Sequence, residues 1–271
     1  MNRVAQLFRI GNCLMGIVGL MMGVWIALGT DLLDSYLEII SASAVVFFFI
    51  AGGNALNDYV DREVDKTGHP ERPIPSGRMT PMTALRISAA CFVISLLFSL
   101  SLNIPSIIVV LVAVALILLY ELRTKKAGLS GNITIGLLTA MLFLLAGTMA
   151  DMLDRTYILA ALAGLATLGR EIIKDIEDME ADFDRNTLPK RIGKRNASIV
   201  AAFVTLMAVA LSSEPFLAGT FGLGYMLIVL VADAIFIYAS VIQFQNPRQG
   251  QKLAKYGMLV ALLAFLIGGL L

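Results

Sequence analysis

The chain has 271 residues, of which 58% are hydrophobic and only 15% are charged, and its mean hydropathy is +0.82. Soluble domains contain roughly 45–50% apolar and about 25% charged residues, so this composition excludes a soluble or disordered chain and predicts a polytopic membrane protein. Two cysteines, Cys13 and Cys91, lie in separate apolar runs, and His69 is the single histidine. These counts indicate neither a zinc site nor a disulfide framework, and the single histidine excludes His-rich metal sites and argues against a Ser-His-Asp hydrolase.

Nine apolar runs are long enough to cross a bilayer as helices, since a spanning helix needs about 20 apolar residues. The predicted spans cover residues 10–29, 37–57, 83–103, 105–121, 131–150, 156–175, 197–213, 215–241 and 253–271. Residues 1–271 are therefore expected to form a single all-α membrane domain, with nine helices around a central cavity. Asp233 is an isolated acid inside the eighth span, and we expect it to make a local hydrogen bond rather than a site.

The charged residues are divided unequally between the two sides of the membrane. All but Arg155 of the 21 lysines and arginines fall near the N-terminus or around the loops after the even-numbered spans. By the positive-inside rule these regions are cytoplasmic. The sequence thus predicts a multi-pass protein of the cell membrane with a polar cytoplasmic cap, a cytoplasmic N-terminus and an outside C-terminus.

Two acidic segments follow the second and sixth spans, and each places its polar side chains on one helical face. At about 100° per residue, five polar groups of the first segment share an arc of about 100°, and four acids of the second share about 60°. The first set is Asn54, Asn57, Asp58, Asp61 and Asp65, and the second is Glu171, Asp175, Asp178 and Asp182.

A solvated helix end is the simpler explanation of such carboxylates. Solvated faces mix charge signs, however, whereas these faces stack like charges at i,i+4 spacing, which is unfavourable unless cations lie between them. Oxygen donors without Cys or His select hard cations, and Mg²⁺ commonly shares its coordination with substrate phosphates. The two segments therefore predict Mg²⁺ ions that grip a diphosphate, with the active site on the cytoplasmic side.

Basic residues lie close to both acidic segments in the chain. Arg72 is held between prolines, which suits an arginine that binds a phosphate oxygen. The loop after the fourth span contributes further cations, although a membrane anchor explains lysines there equally well. Residues that are expected to hold a diphosphate or a second phosphate are Arg72, Arg123, Lys125, Lys126, Arg170 and Lys174. Asn54 and Tyr120 are expected to line the substrate cavity.

The motifs resemble those of the UbiA superfamily of intramembrane prenyltransferases. The NDxxDxxxD signature begins at Asn57, and the second acidic motif runs from Asp175 to Asp182. The resemblance covers nearly the whole chain and implies nine helices, with Arg72 and either Lys125 or Lys126 on the diphosphate. It also implies metal ligation by Asn57, Asp61, Asp65, Asp178 and Asp182, with Asp58 and Asp175 in support, and a catalytic role for the acids Asp61, Asp65, Asp178 and Asp182.

Within that family the motifs are most similar to those of archaeal digeranylgeranylglyceryl phosphate synthases. The resemblance implies transfer of a geranylgeranyl group from its diphosphate to the hydroxyl of geranylgeranylglyceryl phosphate, with Mg²⁺ as cofactor. The expected partners are a prenyl diphosphate, a lipid phosphate acceptor and membrane lipid, without nucleic acid and without an obligate protein partner. Two alternatives stay open: a related prenyltransferase with an aromatic or tetrapyrrole acceptor, and a cation or solute transporter, which would more usually place its polar residues at mid-bilayer.

Overall fold

The computed structural model describes residues 3–179 and 186–269, except for the side chain of Lys126, and regular secondary structure within these ranges is helical. The helices are α1 (Arg3–Phe8), α2 (Ile10–Leu28), α3 (Tyr36–Val60), α4 (Asp65–Gly68), α5 (Pro81–Ser99), α6 (Ile104–Leu122), α7 (Leu129–Met149), α8 (Leu153–Glu177), α9 (Leu188–Ile192), α10 (Lys194–Leu211), α11 (Glu214–Leu217), α12 (Leu223–Ile242) and α13 (Pro247–Gly268), with 3-10 turns at Gly29–Ser35 and Thr124–Lys126. The expected all-α class is confirmed.

Eight segments of the described chain are long and apolar enough to cross a membrane. The first, Ile10–Val60, contains two helices, α2 and α3, which the 3-10 turn at Gly29–Ser35 separates. At 1.5 Å per residue its 51 residues would far exceed a bilayer if they formed one straight helix, so the turn divides the segment into two crossings. Counted in this way, the long helices of the described residues agree with the predicted nine, and the chain is a multi-pass membrane protein.

One predicted span is shorter in the structure than in the sequence pattern. The apolar run 215–241 was expected to be continuous, but it forms the short helix α11 and the longer helix α12, with a break between them. Gly219 in this break has a φ of 74°. This value lies in the left-handed region, which glycine adopts readily and which does not occur inside an α-helix. The backbone conformation of Gly219 therefore separates α11 from α12, although the hydropathy of the sequence predicted one continuous helix.

The helices pack mainly against their neighbours in the chain, and α13 returns to contact α2. Each of α5, α6 and α13 begins with a capping side chain followed by proline within the first turn; the caps are Thr80, Asn103 and Asn246. Because successive crossings alternate in direction, the ends of α3, α6 and α8 lie at the same end of the bundle, together with the short helices α4 and α9. This end carries most of the charged residues and forms the expected polar cap.

Two apolar cavities that are each lined by three or more helices border α7, where the sequence predicted one central cavity. One, of about 140 Å³, is lined by α7, α8, α10, α12 and α13. The other, of about 260 Å³, is lined by α3, α6 and α7. Thr139 of α7 lines both. Asp233 borders the first cavity and accepts a hydrogen bond of 2.7 Å from Ser212 Oγ, which confirms the local contact expected for this acid.

Candidate active site

The first acidic segment continues the helical hydrogen-bond pattern beyond the end of α3. The backbone N–H of Asp61 donates to the carbonyl of Asn57 at 2.8 Å, and that of Asp65 donates to the carbonyl of Asp61 at 2.9 Å. Residues four apart on such a backbone share a face. The hydrogen bond of 3.3 Å between Asn57 Nδ2 and Asp61 Oδ2 agrees with the shared face that the periodicity predicted for these two side chains.

Asp61 lies at the centre of the site, between an amide and a lysine. Its Oδ2 accepts hydrogen bonds from Lys125 Nζ at 2.7 Å and from Asn57 Nδ2 at 3.3 Å. Lys125 comes from the loop after α6, and its side chain is only 5% exposed. The structure thus brings Asp61, Asn57 and Lys125 together, as the proposed diphosphate site requires.

Glu121, which the sequence analysis did not single out, completes this cluster. Its side chain is 3% exposed, with Oε2 2.9 Å from Lys125 Nζ and Oε1 3.2 Å from Asn57 Nδ2. The i,i+4 spacing of Glu121 and Lys125 was a signal for their pairing. Nothing in the sequence indicated the contact with Asn57, because it joins α6 to α3.

Two arginines balance the other acids of the first segment. Arg72 Nη1 lies 2.6 Å from Asp65 Oδ2 and 3.7 Å from Asp58 Oδ1. Arg9 Nη2 donates to Asp58 Oδ1 at 2.6 Å and to Asn57 Oδ1 at 3.1 Å. Arg72, which the sequence analysis expected to bind a diphosphate, thus pairs with acids of the first segment in this structure. Arg9 was not singled out as a site residue from the sequence.

The left-handed backbone of Arg9 explains how it reaches the acids. Its φ is 48° and its ψ is 62°, and it lies between α1 and α2. An L-residue rarely adopts this conformation, which costs roughly 1–3 kcal/mol unless surrounding contacts hold it. The charge-assisted hydrogen bonds to Asp58 and Asn57 are contacts of that kind.

The second acidic segment borders a small polar cavity of about 40 Å³. The helix α8 ends at Glu177, so Asp178 lies directly beyond it, and Asp175 Oδ2 accepts a hydrogen bond of 2.9 Å from Asn132 Nδ2 of α7. The cavity is lined by Tyr120, Lys125, Gly128, Gly131, Asn132, Glu171, Lys174, Asp175, Asp178 and Thr187. Lys125 therefore borders both acidic segments.

The other residues that were predicted to bind phosphate, bind metal or line the cavity lie in different surroundings. Arg170 pairs with Glu171, and Arg123 is exposed. Asn54, which was expected to line the substrate cavity, donates a hydrogen bond of 2.8 Å to the carbonyl of Phe8 and so attaches α1 to α3. The side chain of Lys126 and the whole of Asp182 lie outside the described residues.

The donor set fits a hard divalent cation. The residues contribute carboxylate and amide oxygens, which is the ligand chemistry that Mg²⁺ prefers. In this structure Asp58, Asp61 and Asp65 each form an ion pair with a basic side chain. Among the residues that the structure describes, no three acids are close enough to share an ion, and the predicted ligand Asp182 lies outside that set.

Comparisons with known proteins agree with this architecture. The sequence is 33% identical over 278 residues to digeranylgeranylglyceryl phosphate synthase of Methanosphaera stadtmanae, covering 100% of both chains, and 37% identical over 280 residues to that of Methanosarcina mazei, covering 97% of this chain and 96% of the relative. A solved structure of a digeranylgeranylglyceryl phosphate synthase superposes with a TM-score of 0.88 at 32% identity, covering 99% of this chain and 98% of the other.

More distant structures share the fold. A UbiA homolog from Archaeoglobus fulgidus bound to GPP and Mg²⁺ superposes with a TM-score of 0.65 at 16% identity, covering 96% of this chain and 99% of that one. The pattern of the UbiA prenyltransferase family matches residues 16–266. Because this match covers most of the sequence, we conclude that the chain belongs to the UbiA prenyltransferase family.

Proposed function

We propose that this protein transfers a geranylgeranyl group from geranylgeranyl diphosphate to the hydroxyl of geranylgeranylglyceryl phosphate, with Mg²⁺ as cofactor, in archaeal ether lipid synthesis. Full-length relatives that are 32–37% identical and named digeranylgeranylglyceryl phosphate synthase support the substrate class. In this proposal residues 1–271 act as one membrane domain, and the active site faces the cytoplasm.

The observation that carries the proposal is the position of Lys125. Its ammonium contacts Asp61 of the first acidic segment and borders the cavity that Asp175 and Asp178 of the second segment line. A diphosphate bound here would contact the ammonium of Lys125, which has acids on both sides. These acids would bind the metal ions that neutralise the charge of the diphosphate. Arg72, beside Asp65, adds a second positive charge at the same end of the bundle.

The proposed reaction breaks the bond between C1 of the prenyl chain and the diphosphate, and it forms an ether bond to the acceptor hydroxyl. Bound Mg²⁺ supplies charge compensation for the diphosphate leaving group. Lys125 and Arg72 orient the diphosphate by charge-assisted hydrogen bonds. The acceptor hydroxyl then attacks C1, and its proton passes to the released diphosphate or to water.

The apolar cavities beside α7 suit the hydrocarbon parts of the substrates. The larger one is lined by residues such as Phe49, Ile50 and Leu142, and the smaller one by residues such as Phe143, Met258 and Phe265. An allylic cation must be kept from water, which would otherwise capture it. Aromatic faces near such a cation also stabilise it.

A product assay with purified protein tests the proposal. The protein is offered several prenyl diphosphates together with geranylgeranylglyceryl phosphate or an aromatic acceptor, with Mg²⁺ or with a chelator. We expect an ether product from geranylgeranyl diphosphate and the lipid phosphate only when Mg²⁺ is present. Products with aromatic acceptors alone would assign the protein a different acceptor within the same family.

A further inference from the structure

Glu121 is a buried acid that belongs to neither acidic segment, although it touches the first one. It lies in the last turn of α6, one helical turn before Lys125, and its two carboxylate oxygens bind different partners. Oε2 binds the ammonium of Lys125, and Oε1 binds the amide of Asn57. A buried carboxylate is costly unless it is paired, so these contacts account for its presence.

We propose that Glu121 is a positioning residue that retains Lys125 in the active site when Asp61 binds the metal ion. This inference rests on the proposed function. Lys125 has two carboxylate partners, Asp61 and Glu121. Asp61 is a proposed Mg²⁺ ligand, and an oxygen that coordinates a divalent cation attracts an ammonium less. Glu121 is then the partner that keeps the Lys125 ammonium beside the diphosphate.

The same acid also orients the amide of Asn57. Because Asn57 Nδ2 donates to Glu121 and Asp61, the oxygen Oδ1 faces the opposite way, where it accepts from Arg9. Oδ1 is the atom of this amide that can ligate a metal ion. Glu121 thus fixes the direction of one proposed ligand and the position of one proposed diphosphate cation.

The substitution Glu121→Gln separates these two effects. Glutamine keeps an acceptor oxygen for Asn57 but removes the negative charge that holds Lys125. The readout is the Kd for inorganic diphosphate in the presence of Mg²⁺, measured by calorimetry on the detergent-purified protein. Because charge-assisted hydrogen bonds are worth more than neutral ones, we expect the Kd of E121Q to rise about tenfold. Glu63→Gln, which removes an exposed acid paired with Lys66, is the matched control and should leave the Kd unchanged.

A double-mutant cycle with Lys125→Met decides whether Glu121 acts through Lys125. If it does, Glu121→Gln in the K125M background changes the Kd by about twofold or less. A further tenfold loss in that background would overturn the proposal, because Glu121 would then act on the diphosphate by another route. An unchanged Kd in the single variant E121Q would overturn it as well.

Thermal unfolding of each variant separates positioning from folding. If E121Q alone does not fold, the pair E121Q/K125M removes both buried charges together and is expected to fold. Equal Kd values for this pair and for K125M then support the proposal, and a weaker Kd for the pair contradicts it. The cycle measures diphosphate binding, so a wild-type protein that binds Mg²⁺-diphosphate but forms no ether product would refute the proposed function and leave this test intact.

Discussion

At the residue scale, the acids of the first acidic segment take their counterions from three separate parts of the chain. Arg9 approaches from the N-terminal side, Arg72 from the following loop, and Lys125 from the end of α6. Each of these cations is also near the region where a diphosphate is proposed to bind. When a metal ion and a diphosphate bind together, the acids can pair with the metal ion and the basic side chains with the diphosphate. No charge is then left unpaired in a poorly solvated site.

Replacement of Asp61 by asparagine tests the centre of this cluster. The change removes the charge on which Lys125 and Asn57 converge, and we expect kcat/KM for geranylgeranyl diphosphate to fall by about 100-fold or more. Glu63→Gln is the control, since Glu63 is exposed and its hydrogen bond with Lys66 lowers its pKa as in an ordinary surface pair. A similar loss in the Glu63 variant would contradict this prediction, because Glu63 lies outside the cluster around Lys125.

Lys174→Ala tests the assignment of the second phosphate. Lys174 is exposed, yet it lines the small polar cavity beside Asp175 and Asp178. We expect its removal to raise KM for the lipid phosphate acceptor more than KM for the prenyl diphosphate, in kinetics that vary each substrate in turn. Arg248→Ala, at a side chain that is 88% exposed, should change neither value. Equal increases in both KM values would assign Lys174 to the diphosphate.

At the scale of elements, the sequence predicted the helices better than it predicted their mutual contacts. Long apolar runs must form helices in a bilayer, because lipid offers no partners for the backbone. Periodicity also showed which residues share a face, as Asn57 and Asp61 do. It does not show which face of another helix they meet, so the contacts of Arg9 with Asp58 and of Glu121 with Asn57 were missed.

The turn before α7 depends on the backbone conformation of one glycine. Gly128 has a φ of 68°, and its backbone lies against Thr187 and the residues beside it. We expect Gly128→Ala to destabilise the protein by about 1–3 kcal/mol, since alanine is strained in this conformation. Thermal unfolding in detergent measures the effect.

Gly11→Ala is the matched control for that change. Gly11 lies within α2, and a methyl group there would meet no atom within 4 Å. Because alanine favours helices over glycine, the substitution should leave the protein as stable as the wild type or slightly more so. A loss of stability equal to that of Gly128→Ala would show that the conformation of Gly128 is not the cause.

At the scale of the whole molecule, the charge distribution predicts a defined orientation in the membrane. Cysteines introduced at Ser76 and at Asp34 should react with a membrane-impermeant thiol reagent from opposite sides, with Ser76 on the cytoplasmic side. Both positions are exposed, and the native Cys13 and Cys91 are buried, so background labelling should be low. Labelling of both introduced cysteines from one side would contradict the proposed topology.

The separation of the ion-pair partners along the chain has a consequence for biosynthesis. Chains are synthesised from the N-terminus, so Arg9 already exists when Asp58 is made, and Arg72 follows Asp65 by seven residues. Lys125 is made 64 residues after Asp61. During membrane insertion, the central carboxylate of the first acidic segment is therefore the last of the three to meet its cation, and it does so only when α6 has emerged.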